Sequence, residues 1–226
     1  MKFEYHNKGS LKTVILIPGW GTCSKLLAPL YPSFNQIFCM SQNPDTFVTS
    51  LLTFLNQKSI SGPLYLAGFS MGGFLALDVI KQLDQLKRLH AYPFKQVDLF
   101  SIRPFYPFKE VERVRHALLK NPKEFMRSFF SQECDLSSKT IFNHYLETLN
   151  LDNLLLGLNY LSGVSIQASR FLSPLISMSV YHGRRDRIAP LREIKRLFTP
   201  ESKVCLKIES GGHFFFLSAS FHKSHA

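Results

Sequence analysis

Cysteine is scarce in this sequence, and long apolar runs are absent. The 226 residues include four cysteines, none of them in a C-x-x-C pair: Cys23, Cys39, Cys134 and Cys205. Such scattered positions argue against a zinc site and against a disulfide framework. No run approaches the roughly 18 apolar residues of a membrane-spanning helix, and residues 1–10 are too polar for a secretory signal. We therefore expect a cytoplasmic protein with reduced cysteines.

Acidic residues are also in short supply. Lys and Arg number 27 while Asp and Glu number 16, which leaves a net charge of +11. A basic balance of this size favours an acidic partner, whether nucleic acid, an anionic membrane surface or an acidic protein. The basic residues form no block with interleaved aromatics, so we expect no nucleic-acid partner, and we expect no membrane partner. A solvated basic surface without any partner remains the alternative.

The sequence does contain a regular alternation of strand and helix patterns. Residues Thr13–Ile17 are apolar, continuous and mostly β-branched, which predicts a central parallel strand buried on both faces. Further strands are predicted at residues 36–40, 64–67, 96–102, 174–181 and 203–208, and helices at 24–31, 46–57, 74–83 and 191–198. The alternation predicts an α/β fold, with a mostly parallel sheet of about six to seven strands and helices on both faces.

One stretch departs from this alternation. Prolines at 104 and 107 interrupt any regular element, and from residue 109 to about 167 the apolar spacing is helical with no strand pattern. A block of helices between two sheet strands predicts a cap, or lid, over the strand ends. We expect the cap at residues 103–170, inserted into an α/β core made of residues 1–102 and 171–226.

The centre of the pattern is a serine between glycines. Gly68, Ser70 and Gly72 form a G-x-S-x-G pattern that follows an apolar strand and precedes an amphipathic helix. In a nucleophile elbow the serine occupies a strained turn, and the glycines let strand and helix pass closely. A glycine-rich turn that holds a phosphate is the alternative. The strand and helix on either side favour the elbow, with Ser70 as nucleophile.

Two further side chains follow predicted strands. Asp186 lies in the loop after the strand at 174–181, and His213 comes after Gly211-Gly212 and the strand at 203–208. The chain order serine, aspartate, histidine is that of a Ser-His-Asp catalytic triad. His213 would act as general base and acid, and Asp186 would orient it. Alternatively, Asp186 is a surface acid paired with neighbouring arginines, and His213 is structural.

An oxyanion hole requires two backbone N–H groups that point at one position. One is expected from the residue after the nucleophile, Met71, and the other from the loop after the first core strand, at Trp20. The side chain of Trp20, between Gly19 and Gly21, is also expected to line the substrate pocket, although an ordinary tight turn would give the same pattern. The triad of Ser70, His213 and Asp186 supplies every proton transfer that the reaction needs, so no metal or organic cofactor is implied.

Four motifs together resemble the α/β-hydrolase superfamily over residues 13–217: Pro18-Gly19-Trp20-Gly21, Gly68-Phe69-Ser70-Met71-Gly72-Gly73, His182-Gly183-Arg184-Arg185-Asp186 and Gly212-His213. Within that superfamily the chain is most similar to the pimeloyl-acyl carrier protein methyl ester esterases of biotin biosynthesis. The Gly-Trp-Gly after the first strand, Ser101-Ile102-Arg103-Pro104 and a basic cap with Phe129-Phe130 carry this resemblance. The family usually has histidine where Pro18 stands, which hardly affects a backbone oxyanion hole.

The resemblance implies an activity and a partner. It implies a serine esterase that removes the methyl group from a pimeloyl chain still attached to acyl carrier protein, working as a monomer. The acyl chain would pass Trp20, Phe129 and Phe130, and the acidic carrier would meet basic cap residues: Arg113, Arg115, Lys123 and Arg127. A generalist short-chain carboxylesterase or thioesterase is the nearer alternative, and a non-catalytic acyl-binding protein of the same fold is a more distant one.

Overall fold

The computed structural model describes residues 2–40, 43–58, 60, 62–133, 142, 146, 149–167, 176–198, 204–218 and 221. Seven strands in these residues form one sheet in the order β1-β3-β2-β4-β5-β6-β7. Strand β1 is antiparallel to β3, and every other neighbouring pair is parallel. The strands are β1 (Phe3–His6), β2 (Thr13–Ile17), β3 (Asn35–Cys39), β4 (Leu64–Phe69), β5 (Phe94–Phe100), β6 (Ser177–Gly183) and β7 (Val204–Glu209). The predicted mostly parallel α/β sheet is confirmed.

The middle of the sheet is its most apolar part. All five residues of β2 are buried, as are the last four of β4 and of β5. A strand covered on both faces must be apolar at every position, which explains the continuous β-branched run at 13–17. The parallel strands end at the same edge of the sheet, where ligands gather in open α/β folds.

Six α-helices lie in the described part of the chain. Helix α2 packs on β2, β4 and β5 and against α1. Helices α3, α4 and α5 come between β5 and β6 in the chain, and α3 packs on both α4 and α5. The helices are α1 (Phe47–Lys58), α2 (Met71–Gln85), α3 (Phe108–Lys120), α4 (Pro122–Glu133), α5 (Leu151–Gly163) and α6 (Leu191–Lys195).

Helix α5 is fastened to the rest of the fold at two points. The Trp20 indole Nε1 donates a hydrogen bond of 2.8 Å to the Leu154 carbonyl. Further along α5, the Tyr160 hydroxyl donates a hydrogen bond of 2.6 Å to the Asp78 carboxylate of α2. Because Trp20 follows the carboxyl end of β2, the first contact holds α5 at that edge of the sheet, and the second ties it to α2. The predicted limits of the cap stay a prediction, since residues 168–175 lie outside the described ones.

The structure departs from the predicted elements in a few places. Strand β1 forms in residues 1–10, where no strand was predicted, as a half-exposed edge strand. The helix predicted at 24–31 consists of two 3₁₀ turns, at Ser24–Leu26 and Ala28–Leu30, because Pro29 cannot donate the backbone hydrogen bond of a continuous α-helix. Helix α6 ends at Lys195, three residues before the predicted limit at 198.

No helix in the described part of the chain is long and apolar enough to cross a lipid bilayer.

Candidate active site

Ser70 occupies a strained turn between β4 and α2. Its backbone angles are φ 51° and ψ −115°, in the left-handed half of conformational space that residues with a side chain rarely enter. A Cβ added to Gly68 would lie 2.5 Å from the Gly72 carbonyl oxygen, and one added to Gly72 would collide with the carbonyl of Ile17. The glycines therefore let β4, α2 and the end of β2 approach closely, as the G-x-S-x-G spacing predicts.

Asp186 and His213 come together from the loops after β6 and β7. The Nδ1 atom of His213 lies 2.8 Å from Oδ2 of Asp186, and both residues are buried. The loops can meet because Gly183, at the end of β6, has no side chain to collide with the Gly212 carbonyl. A carboxylate accepts, so this contact places the proton on Nδ1 and leaves Nε2 as the basic nitrogen.

The carboxylate of Asp186 is held in its charged form. Its other oxygen, Oδ1, accepts hydrogen bonds from the backbone N–H groups of Ile188 at 3.0 Å and Ala189 at 2.8 Å. Burial alone would raise the pKa of Asp186, but the positive potential and hydrogen bond of His213, together with the Ala189 N–H, lower it. At neutral pH Asp186 is therefore an anion that can stabilise a protonated His213.

Ser101 at the end of β5 holds the histidine loop in place. Its hydroxyl donates a hydrogen bond of 2.6 Å to the His213 carbonyl, and its backbone φ is 50°. The side chain is fully buried, so this bond has no competition from water. The prediction from sequence assigned no role to Ser101, because nothing in a local pattern connects residues 112 positions apart.

The Ser70 hydroxyl makes its hydrogen bond to a residue that sequence reasoning missed. Ser70 Oγ lies 3.1 Å from the hydroxyl oxygen of Tyr106, in the segment between β5 and α3. Among the described residues no hydrogen bond joins Ser70 to His213, although both line the same pocket. Catalytic hydrogen bonds are often long in unliganded enzymes and tighten with substrate. The arrangement therefore brings Ser70, Asp186 and His213 to one edge of the sheet.

Tyr106 is held by a buried arginine. The guanidinium of Arg103 lies 5.3 Å from the centre of the Tyr106 ring. Its Nη1 donates to Glu110 of α3 at 2.6 Å, and its Nε donates to Glu193 of α6 at 2.7 Å. Burial alone would lower the pKa of Arg103, but the two carboxylates outweigh it and raise that pKa. Arg103 thus ties the first cap helix, the core and Tyr106 together.

The segments that carry the two predicted oxyanion-hole amides lie against each other in the fold. Met71 is the first residue of α2, and the N–H groups of a first helical turn have no partner inside the helix. The carbonyls of Ile17 and Pro18 pack directly on Gly72, which brings the loop that carries Trp20 against this end of α2. Backbone donors at a helix N-terminus suit a developing negative charge.

A cavity of about 200 Å³ opens beside Ser70 and His213. Trp20 and Phe129, two predicted substrate contacts, line it together with Leu158, Leu161 and other apolar side chains. Phe130 is not among the lining residues. It is buried instead, with its ring stacked 4.2 Å from that of Phe142 and edge-on to Phe214. Successive residues of a helix point about 100° apart, and here Phe129 faces the cavity while Phe130 packs on Phe142 and Phe214.

The predicted carrier contacts are spread over two cap helices. Arg113 on α3 is exposed and lines the cavity, while Lys123 and Arg127 are exposed on α4. Arg115 differs, because its Nε donates to Glu112 at 2.8 Å and its side chain is only 22% exposed. Three of the four residues thus present free basic side chains on the surface of the described cap.

Comparison with known proteins identifies the fold. No family model matches the chain, and no curated protein matches its sequence. Solved structures do match: an esterase from Exiguobacterium antarcticum has a TM-score of 0.80 at 15% identity, covering 98% of this chain and 92% of that one. A bromoperoxidase from Bacillus anthracis has a TM-score of 0.75 at 17% identity, covering 99% and 91%.

A third neighbour is a serine hydrolase from Cycloclasticus zankles, with a TM-score of 0.70 at 17% identity over 98% of this chain and 91% of that one. These likenesses show that the chain has the α/β-hydrolase fold, as its motifs predict. They do not select a reaction, since one neighbour is named an esterase and another a bromoperoxidase. The chemistry must be argued from the site itself.

Proposed function

We propose that the protein is a serine carboxylesterase with Ser70 as nucleophile, His213 as general base and acid, and Asp186 as the residue that orients His213. The observation that supports it most is the buried contact of 2.8 Å between His213 Nδ1 and Asp186, next to a serine on a strained elbow. A structural histidine or a surface aspartate would not require both groups to be buried beside a serine.

The proposed reaction has two halves. In the first, Ser70 Oγ bonds to the ester carbonyl carbon while His213 Nε2 takes the hydroxyl proton, and the alcohol leaves after receiving that proton. In the second, a water bonds to the acyl carbon, gives its proton to His213, and the bond to Oγ breaks as His213 returns the proton. The backbone N–H groups of Trp20 and Met71 would stabilise the oxyanion in both halves.

The substrate that we propose is the methyl ester of a pimeloyl chain carried by acyl carrier protein. The apolar cavity with Trp20 and Phe129 suits an acyl chain. On α3 and α4 three acids are already engaged: Glu110 by Arg103, Glu112 by Arg115 and Glu124 by Asn121.

The cap cations are left without such partners. Five exposed basic side chains of α3 and α4 form no ion pair with any described residue: Lys109, Arg113, Lys120, Lys123 and Arg127. Their positive electrostatic potential would steer an acidic carrier to the cavity. Salt would weaken this steering, since the Debye length is about 10 Å at 0.1 M.

The test compares hydrolysis of the carrier-bound methyl ester with that of a small soluble ester, p-nitrophenyl butyrate. Lys123→Glu combined with Arg127→Glu changes two exposed residues of α4 that do not line the cavity. This pair should lower kcat/KM for the carrier substrate by about tenfold or more at low salt, because steering raises association rates by at least that factor. Hydrolysis of the small ester should stay within about twofold, as for residues that act only on association. Ser70→Ala gives the background for both substrates.

A matched control carries the same change of charge elsewhere. Arg88→Glu with Lys95→Glu alters two exposed residues near the amino end of β5, at the opposite edge of the sheet from Ser70. This pair should leave both substrates unaffected. Equal losses on both substrates in the cap variant, or none on either, would favour a generalist esterase or thioesterase. The absence of Ser70-dependent turnover of either ester would leave an acyl-binding protein of the same fold.

A further inference from the structure

Tyr106 contacts the reacting oxygen of the proposed nucleophile, and no step of the mechanism above uses it. Its hydroxyl oxygen lies 3.1 Å from Ser70 Oγ, and its ring is one wall of the cavity. Packing alone does not require a hydroxyl at this position, because phenylalanine would fill the same space. The hydroxyl therefore needs an explanation beyond packing.

The ring of Tyr106 is held by two contacts, which keep its hydroxyl within hydrogen-bond distance of Ser70. One contact is with Arg103, whose guanidinium sits 5.3 Å from the ring centre and is itself held between Glu110 and Glu193. A second contact is with Phe74 of α2, at 6.1 Å between ring centres. Because Phe74 lies on α2 and Arg103 is held by carboxylates of α3 and α6, three helices help to fix the position of the hydroxyl.

The chemistry decides which oxygen donates. Ser70 has one hydroxyl proton, and in the proposed reaction that proton must go to His213. The phenol of Tyr106 keeps its own proton, because burial raises the pKa of Tyr106 to about 12 even though the hydrogen bond with Ser70 lowers it. The arrangement compatible with turnover is therefore a bond from the Tyr106 O–H to a lone pair of Ser70 Oγ.

We propose that Tyr106 is a further catalytic residue, whose O–H donates a hydrogen bond to Ser70 Oγ and stabilises the negative charge that this oxygen gains when the acyl-enzyme breaks down. The inference rests on the proposed esterase function. In deacylation, water forms a bond to the acyl carbon and gives a proton to His213, the bond from that carbon to Oγ breaks, and Oγ gains the electron pair as His213 returns the proton. A donor aimed at Oγ acts at that moment.

Acylation and deacylation should depend on this hydrogen bond to different degrees. In the free enzyme Tyr106 already donates to a hydroxyl oxygen, so the gain on approaching the acylation transition state is small. In the acyl-enzyme Oγ is an ester oxygen, a poorer acceptor, and the bond strengthens only as charge returns to Oγ. An interaction that is stronger in the transition state than in the preceding ground state accelerates that step. Loss of the hydroxyl should therefore slow deacylation more than acylation.

The experiment is stopped-flow hydrolysis of p-nitrophenyl acetate by Tyr106→Phe, which removes the hydroxyl and keeps the ring against Arg103 and Phe74. We expect kcat to fall about tenfold to a hundredfold, the range for one hydrogen bond to a charged group. The value of kcat/KM, which reports acylation, should change by no more than about threefold. An initial burst of p-nitrophenol should appear, and the intact mass should show an acetyl group accumulated on the protein.

A control separates this role from a general effect of losing a buried phenol. In Tyr92→Phe the missing hydroxyl is one that donates to Asn56 at 2.9 Å, at the other edge of the sheet. That variant should show wild-type rates and no additional burst.

Three results would overturn the inference alone, provided that the wild-type protein turns the ester over. They are equal losses in acylation and deacylation, unchanged kinetics in Tyr106→Phe, and faster acylation, which would mean that Tyr106 merely holds Ser70 away from His213. If the wild-type protein releases no p-nitrophenol, the proposed esterase function fails, and the inference fails with it.

Discussion

At the scale of single residues, two residues with strained backbone conformations lie at the proposed catalytic site. Ser70 and Ser101 both have positive φ without being glycine, and each hydroxyl is used: Ser70 Oγ contacts Tyr106, and Ser101 Oγ holds the carbonyl of His213. Such conformations cost on the order of 1–3 kcal/mol each and persist only where the surroundings fix them. Here the surroundings are the ends of β4 and β5, which hold the nucleophile and the histidine loop in register.

His182 is a second buried histidine of the site, in β6. Its side chain is fully buried, its ring nitrogens make no hydrogen bond within the described residues, and Nδ1 lies 3.9 Å from Asp186. Burial lowers the pKa of His182, the neighbouring His213 lowers it further, and Asp186 opposes both. The folded protein therefore keeps His182 neutral at a pH where the unfolded chain takes up a proton.

The stability of the protein should depend on pH through this residue. The pKa of His182 in the folded protein lies below its unfolded value of about 6.5. At high pH the residue therefore makes no difference to the free energy of unfolding, and as the pH falls through about 6.5 it destabilises the fold. We expect the free energy of unfolding to drop between about pH 7 and 5, with a contribution from His182 of up to about 1.4 kcal/mol per pH unit.

Urea denaturation across this pH range measures the effect. In the variant His182→Leu the free energy of unfolding should change less steeply with pH than in wild type, whatever the absolute stability of the variant. The two slopes should coincide above about pH 7.5, where the unfolded histidine is also neutral. Parallel curves over the whole range would show that His182 titrates alike in the folded and unfolded chains.

At the scale of elements, helix α5 closes one side of the cavity through contact with Trp20. Gly157 of α5 lies against that side chain, so that an added Cβ would be 2.6 Å from Cδ1 of the indole. The Trp20 Nε1 hydrogen bond to Leu154 leaves the ring little room to move. The absence of a side chain at position 157 thus sets how close the helix and the proposed oxyanion loop can come.

Gly157→Ala should therefore displace Trp20 or lift α5. Because misplacement by about 1 Å can reduce a rate by about a hundredfold, we expect kcat/KM for p-nitrophenyl butyrate to fall at least about tenfold. Gly163→Ala is the matched control, since a Cβ at the end of the same helix would meet nothing within 4 Å. Equal activity of the two variants would show that the fit of α5 on Trp20 does not control the site.

The elements themselves were largely predictable from the sequence. Strands β2 and β4, the elbow at Ser70 and the loops with Asp186 and His213 carry local signals, which are continuous apolar runs and glycines where two backbones meet. Strand β1 also carries a signal, the alternation Phe3-Glu4-Tyr5-His6, that the prediction did not use.

Tyr106 and Arg103 could not be found in this way. The contact between Tyr106 and Ser70 joins residues 36 positions apart, and Arg103 reaches Glu193 across 90 positions. Both contacts depend on the path of the proline-containing segment after β5, which no periodic pattern determines. The same limit applies to Phe129 and Phe130, because the sequence does not show that only Phe129 lines the cavity while Phe130 packs on Phe142.

At the scale of the whole molecule, most basic residues lie outside the cavity of the proposed chemistry, although Arg103, Arg113 and Arg187 line it. Ser70 and His213 line a mostly apolar cavity at the carboxyl ends of the parallel strands, while the net charge of +11 is displayed in part on the exposed faces of α3 and α4. A buried site works best with few competing charges, and a charged rim acts on encounter with the substrate. The proposed specificity for a carrier-bound ester and the proposed hydrolysis can therefore be tested separately.

The most direct test of the central claim, that Ser70 is an activated nucleophile, is covalent trapping by a fluorophosphonate. The bond from Ser70 Oγ to phosphorus forms as fluoride leaves, and intact mass with peptide mapping locates the product. We predict one adduct per chain, on Ser70, with none in Ser70→Ala. In His213→Ala the labelling should slow by about a thousandfold or more, as expected when a member of a catalytic triad is lost. No adduct on the wild-type protein, or an adduct that persists in Ser70→Ala, would contradict the account.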